Sequence, residues 1–146
     1  MRIRSLAVVC LAGLLLSCDQ SPAPEVSAQP LRLSTPCKAQ HGCRAVGESI
    51  SATVVFGRQV RGLQPFPVQV MVDTADQVES VSVAFSMQGM DMGQNRYRLN
   101  GAPMSAWTAN VTLPICSSGR SDWVADFDLL VAGRHYRFQV PFVVGK

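Results

Sequence analysis

Three of the chain's six methionines fall within six residues, at Met87, Met90 and Met92. The intervening and following glycines, Gly89 and Gly93, predict a turn that leaves Met90 and Met92 on a loop. Thioether sulfur is a soft, uncharged ligand, and soft sulfur ligands favour Cu(I) over hard cations. The segment therefore predicts a Cu(I) site with Met90 and Met92 as ligands. Met87 shares the strand parity of the preceding apolar residues, so either a core position or a supporting ligand is open to it.

Cysteines form the second group with possible chemistry. Cys37 and Cys43 could close a short disulfide loop, which would leave Cys116 as a thiol available to Cu(I). A Cys37–Cys116 disulfide would close a longer loop, and loop length alone does not choose between the two pairings. Two further interpretations stay open. Cys37, His41 and Cys43 have the ligand types of a copper or zinc site, and Cys37 with Cys43 could form a thiol redox pair.

The segments that must position these sulfurs have the alternation of β-strands. Apolar residues recur with period two, and no segment shows a sustained helical period. Seven segments carry this pattern: 50–56, 68–72, 81–87, 97–99, 107–113, 123–131 and 136–144. Clean alternation indicates one buried face and one wet face, as in an antiparallel sandwich. The prediction is an all-β fold, an immunoglobulin-like antiparallel β-sandwich of about seven strands.

The N-terminus has the order of a bacterial lipoprotein signal. Arg2 and Arg4 precede an apolar run over 6–16, which is shorter than the roughly 20 residues of a membrane-spanning helix. Ser17 and Cys18 close the run, and residues 15–18 resemble a lipobox. We therefore expect residues 1–17 to be a signal peptide and Cys18 to carry the lipid. Asp19 resembles a signal for retention in the inner membrane, so that membrane is favoured over the outer one.

Composition divides the rest of the chain into a tether and one domain. Residues 18–36 are rich in Ser, Pro, Ala and Gln, which predicts a flexible tether after the lipidated cysteine. Residues 37–146 have the size of a single domain. The chain carries 13 Lys and Arg against 10 Asp and Glu. Two of those arginines lie in the signal, so the mature protein has no charge excess that would favour nucleic acid.

Several short motifs together resemble the YtkA/FixH-like domains, which are small extracytoplasmic domains. The motifs are Gly-Met-Asp-Met-Gly at 89–93, the segments 95–99 and 107–114, and Gly119-Arg120 shortly before Trp123. The resemblance covers about residues 48–144. It implies a β-sandwich, an association with copper handling and cytochrome oxidase assembly, and Met90 and Met92 as copper ligands. The family often has a methionine before its Gly-Arg-Trp element, and this chain has Cys116 there.

These observations predict a lipid-anchored, periplasm-facing protein that binds Cu(I) through Met90, Met92, Cys116 and Met87. It would chaperone or buffer copper for a membrane partner, such as a cytochrome oxidase assembly factor or a copper transporter. The alternative is a metal-free scaffold for assembling a membrane complex. No catalytic function is expected, because the sequence has no Gly-x-Ser-x-Gly or His-Glu metalloprotease motif. Its two histidines lie in a terminal segment and on an outward strand position, which gives an acid–base site little to use.

Overall fold

A computed structural model describes residues 27–90, 93, 95–102 and 104–145 of the chain. The expected signal peptide, the lipid site at Cys18 and the expected ligand Met92 lie outside the described residues. Ten strands form the fold: β1 (Gln29–Pro30), β2 (Arg32–Leu33), β3 (Cys43–Val46), β4 (Ile50–Phe56), β5 (Phe66–Thr74), β6 (Val78–Ser86), β7 (Arg96–Arg98), β8 (Trp107–Val111), β9 (Asp122–Val131) and β10 (Arg134–Val143).

The strands form two five-stranded sheets, with orders β1-β10-β9-β6-β7 and β2-β3-β4-β5-β8. Within each sheet, every pair of neighbouring strands is antiparallel except β1 with β10. The predicted all-β sandwich is confirmed. The seven alternating segments correspond to β4 through β10, so the expected number of about seven strands is too low by the three N-terminal ones. None of the described residues belongs to a helix long and apolar enough to cross a bilayer.

Part of the segment 18–36 that was expected to be a tether belongs to the sheets. Gln29 pairs with Tyr136 in one sheet, Arg32 pairs with Val46 in the other, and Leu31 between them is buried. Residues 29–33 therefore cross from sheet to sheet and belong to the sandwich. The sequence does not predict these two strands. A two-residue strand is too short to show a periodicity, and its stability comes from pairing with distant residues.

The core lies between the sheets and follows the predicted alternation. In β9, for example, every second residue from Trp123 to Val131 is buried. Phenylalanines near one end of β4, β5, β6 and β10 gather at one end of this core, with ring centroids 5.0–6.4 Å apart. Their members are Phe56, Phe66, Phe85 and Phe142. Aromatic packing of this kind stabilises the strand ends from which the loops at this end extend.

The two ends of the sandwich are distinct. Because β1 runs parallel to β10, the described chain enters at the end where β10 begins. The opposite end, which we call the sulfur end, carries the connections 34–42, 57–65 and 112–121, residues 87–90 after β6, and the residues after β10. Met90 and Cys116 both lie in these connections. The antiparallel pairing of β6 with β9 places the end of β6 beside the start of β9, which brings the two loops together.

Candidate metal centre

The methionine segment forms a tight turn directly after β6. The amide of Met90 donates to the carbonyl of Met87 at 3.1 Å, and Gly89 between them has φ +74°. A positive φ at the third position of such a turn is typical of a type II turn and favours glycine. The side chain of Met87 is 2% exposed and belongs to the core, whereas Met90 is half-buried. Of these two, the turn therefore leaves Met90 as the accessible thioether.

Cys116 begins a second turn, in the connection between β8 and β9. The amide of Gly119 donates to the carbonyl of Cys116 at 3.1 Å, and Gly119 has φ +73°. This turn folds Ser118 back, so that its Oγ lies 2.9 Å from the Sγ of Cys116. Cys116 is 8% exposed and is the one free cysteine of the described residues.

The two turns bring a thiol and a thioether into contact. The Sγ of Cys116 lies 3.7 Å from the Sδ of Met90, although 26 positions separate the residues in sequence. At a metal–sulfur distance of about 2.3 Å, this separation corresponds to an S–metal–S angle of about 107°. An angle of that size suits a metal with three or four ligands better than a linear pair. The sulfurs are therefore already spaced to share one ion.

The surroundings of Cys116 favour its thiolate, which is the form that binds metals. A hydrogen bond from the hydroxyl of Ser118 lowers the pKa of the Cys116 thiol. The backbone of Ser118 adds to this effect, and burial opposes it. The backbone and the positive charge of Arg120 lower the pKa further. The pKa of Cys116 is therefore lowered overall. Less free energy is needed to release the thiol proton when a metal binds.

Arg120 connects the two turns. Its Nη1 donates to the carbonyl of Gln88 at 3.1 Å, inside the methionine turn. Its Nε donates to Asp122 Oδ1 at 2.9 Å, and a second guanidinium nitrogen contacts the other carboxylate oxygen. This pairing lowers the pKa of Asp122 and raises that of Arg120. A guanidinium held by a carboxylate on one side therefore fixes the methionine turn on the other.

A cleft of about 440 Å³ opens beside Cys116 at the sulfur end. Its lining includes Cys116, Arg120 and Trp123 from the β8–β9 region, and Arg61 from the β4–β5 connection. Ile115 and Val144 contribute apolar surface. The free thiol therefore belongs both to the sulfur pair and to the wall of a cleft that a small molecule could enter.

The structure brings together only some of the residues expected from the sequence. Met90 and Cys116 meet, Met87 is part of the core, and Met92 lies outside the described residues. Cys37 and Cys43 form a disulfide, the first of the two pairings considered above, and His41 beside them is exposed. A disulfide leaves neither sulfur as a thiolate, so the interpretation of this loop as a metal site is wrong for this state.

None of the described contacts joins a histidine to Met90 or Cys116. The second histidine, His135, has the outward position expected from the sequence, where it is half-buried with Nδ1 2.7 Å from Asp128 Oδ1. Within the described residues, no group of three or more His, Cys, Asp and Glu side chains is arranged to hold a metal. Methionine is not one of these four residue types, so a site formed by Met90 and Cys116 is not such a group.

Sequence reasoning missed two residues of this site, Ser118 and Arg61. Ser118 follows Cys116 by two positions and precedes a glycine, a spacing typical of a hydroxyl that folds back onto its own turn. Arg61 lies in another connection and gives no sequence signal, because only the sandwich topology brings it to the cleft.

Comparisons with known proteins add little to this description. No family model matches the chain, and no curated protein matches it. One solved structure, the crystal structure of an engineered protein, shares 18% sequence identity with a TM-score of 0.46. The match covers 64% of this chain and 20% of that protein, so this chain spans about a fifth of that protein's length. A likeness at this level carries no argument about function.

Proposed function

We propose that this protein binds Cu(I) between Met90 and Cys116 and holds the ion in transit for a membrane partner. The observation that carries the proposal is the 3.7 Å distance between the Met90 and Cys116 sulfurs, one neutral and one on an ionisable thiol. Met92, next to the turn, is a further ligand in this proposal. Met87 lies in the core and would support the turn from beneath.

Charge favours Cu(I) over a divalent ion at this position. One thiolate and one thioether together carry a single negative charge, which a monovalent ion neutralises. A divalent ion would leave a net positive charge in a site where Cys116 is nearly buried. Uncompensated buried charge is costly, and soft sulfur ligands in any case prefer Cu(I).

An incomplete ligand set suits a carrier better than a permanent site. With Met90, Cys116 and Met92 as ligands, a four-coordinate ion would keep one coordination position for a ligand from elsewhere. A partner offering more sulfur ligands could then take the ion by stepwise exchange, without a stage in which the ion is bare. The proposed partners are a cytochrome oxidase assembly factor or a copper transporter. The resemblance to YtkA/FixH-like domains and the proposed lipid anchor at Cys18 are consistent with such a role at the periplasmic face of a membrane.

Competition titration of Cu(I) against a chromogenic chelator tests the proposal. The Met90→Leu and Cys116→Ser variants each remove one sulfur with little change in volume. Loss of an outer-shell partner typically costs 10–100-fold in metal affinity, so loss of a direct ligand should cost at least about 100-fold. Met71→Leu is the matched control, because Met71 is 55% exposed on β5 and belongs to no sulfur pair. Equal affinities for the wild type and all three variants would overturn the proposal.

A metal-free scaffold is the second candidate, and one observation favours it. Leu63 and Ile115 are 63% and 66% exposed at the sulfur end, where a protein partner could cover them. Leu63 also has φ +58°, a conformation that a leucine rarely adopts. Absence of Cu(I) binding by the wild type, with partner capture lost in a Leu63→Ser and Ile115→Ser double variant, would favour the scaffold.

A further inference from the structure

The cleft at the sulfur end has the size and position of a small-molecule site. Its volume of about 440 Å³ falls within the roughly 300–1,000 Å³ of typical ligand sites. Trp123 and Ile115 give it apolar walls, and Cys116, one member of the sulfur pair, is part of its lining. A molecule in the cleft would therefore be a neighbour of any ion held by Cys116.

The two arginines of the cleft differ in charge balance. Arg120 is held by Asp122, so its positive charge is already compensated. Arg61 is exposed, and none of the described residues forms a salt bridge with it. The cleft thus presents one positive charge without a described carboxylate beside it, at a site otherwise lined largely by apolar groups. A ligand with a negative charge is complementary to this arrangement.

The proposed Cu(I) site, with Met90, Cys116 and Met92 as ligands, leaves room for one more. Two sulfurs 3.7 Å apart would hold an ion at an angle suited to three or four ligands, and Cu(I) accepts soft sulfur donors. An added ligand that came through the cleft would approach beside Cys116 and keep its remaining atoms near Arg61. The chemistry of this ligand follows from the two requirements, a sulfur at one end and an anionic group at the other.

We propose that the cleft binds a small thiol bearing a carboxylate, which supplies a further sulfur ligand to Cu(I). This inference rests on the Cu(I) site proposed above. As the thiol sulfur bonds to copper, its proton passes to solvent, and copper stays in the +1 state throughout. The carboxylate lies against Arg61. Copper would then arrive or leave as its complex with an anionic thiol, and the protein would exchange ligands without any electron transfer.

Two thiols with the same two-carbon spacer but opposite charge test the inference. These are 3-mercaptopropionate, an anion, and cysteamine, a cation, each added to the purified mature protein loaded with Cu(I). Native mass spectrometry should detect a complex of protein, copper and thiol, with 3-mercaptopropionate favoured. An exposed ion pair changes affinity by up to about fivefold. Arg61→Glu should reverse the preference, since it replaces the attracting charge with a repelling one.

Arg58→Glu is the matched control, because Arg58 is exposed in the same connection but does not line the cleft. It should leave the preference as in the wild type. Equal shifts in the two variants, or the absence of a ternary complex from copper-loaded protein, would overturn the inference. Cu(I) binding is measured first without any thiol. Failure at that first step would reject the copper site itself, whereas failure at the second would reject only the thiol site.

Discussion

The hydroxyl of Tyr97 joins the two sheets close to the candidate site. It donates to the carbonyl of Thr112 at 2.7 Å and accepts from the amide of the same residue at 3.3 Å. Tyr97 belongs to β7 at the edge of one sheet, and Thr112 follows β8 at the edge of the other. Cys116 lies four residues beyond Thr112. Tyr97→Phe removes this link and leaves the ring in place.

The cost of this change can be worked out from the contacts. A hydrogen bond contributes about 0.5–1.5 kcal/mol net, and the 3.3 Å bond is the weaker of the two. Thr112 is exposed, so water can replace the hydroxyl at both backbone groups. The edge-to-face contact with Phe85, at 6.1 Å between centroids, is retained. We expect a loss of about 1 kcal/mol in the free energy of unfolding, or about 3–6 °C in Tm for a domain of this size.

Urea and thermal unfolding of the mature protein measure this loss. Tyr136→Phe is the control, because Tyr136 is the only other tyrosine and its hydroxyl has no hydrogen bond among the described residues. It should change the unfolding free energy by less than about 0.5 kcal/mol. Equal losses in the two variants would refute the assigned link between the sheets. A loss well above about 3 kcal/mol for Tyr97→Phe would refute the reasoning that water replaces the hydroxyl.

Two further predictions concern charged groups. Arg120→Ala removes the contact to the Gln88 carbonyl, so Cu(I) affinity should fall about 10–100-fold, as for loss of an outer-shell partner. Arg134→Ala removes an ion pair of similar exposure away from the site and should leave that affinity unchanged. Asp128→Asn should lower stability at neutral pH, as measured by urea unfolding. The difference from the wild type should shrink as the pH falls below about 4 and through the lowered pKa of Asp128, because both proteins then lack the carboxylate that Arg137 contacts.

The sign of the Asp128 prediction follows from its surroundings on the outer face of one sheet. Burial raises the pKa of this carboxyl, but hydrogen bonds from Arg137 and His135 outweigh it and lower the pKa overall. A carboxyl with a lowered folded-state pKa stabilises the fold above its unfolded pKa, and this stabilisation is lost on acidification. An unchanged difference between the two proteins from pH 7 to pH 3 would contradict this account. The Arg120 prediction would be contradicted by equal Cu(I) affinities of the Arg120→Ala and Arg134→Ala variants.

The sequence predicts the central strands well because their faces alternate over five or more residues. From Ile50 onward, the alternation of buried and exposed positions in β4, β6 and β9 matches the pattern of apolar residues. The first three strands could not be predicted in the same way. β3 has only four residues, with Cys43 and Ala45 as its buried side chains, and β1 and β2 have two residues each. β1 and β2 depend on partners twelve or more residues away, and β3 is too short to show a clear alternation.

The candidate site was predictable by residue type but not by geometry. Methionine and cysteine at Met90 and Cys116 indicate soft-metal chemistry from sequence alone, and the turn at Gly89 follows from its neighbours. Their 3.7 Å contact depends on the pairing of β6 with β9, which no local pattern contains. The same holds for Arg61, which lines the cleft although it precedes Cys116 by more than fifty residues in the chain. Topology, more than composition, decides which of several candidate ligands can share one ion.

The parallel pairing of β1 with β10 has a consequence for where the site would lie relative to a lipid anchor. The described chain enters beside Tyr136, and the sulfur end lies near Val144, about 25 Å farther along the same strand. Since residues 29–33 belong to the sandwich, a tether as proposed above would end before Gln29. A lipid on Cys18 would thus attach the domain at the end opposite the sulfur pair. A partner would then receive copper at the end of the domain that is remote from the anchor.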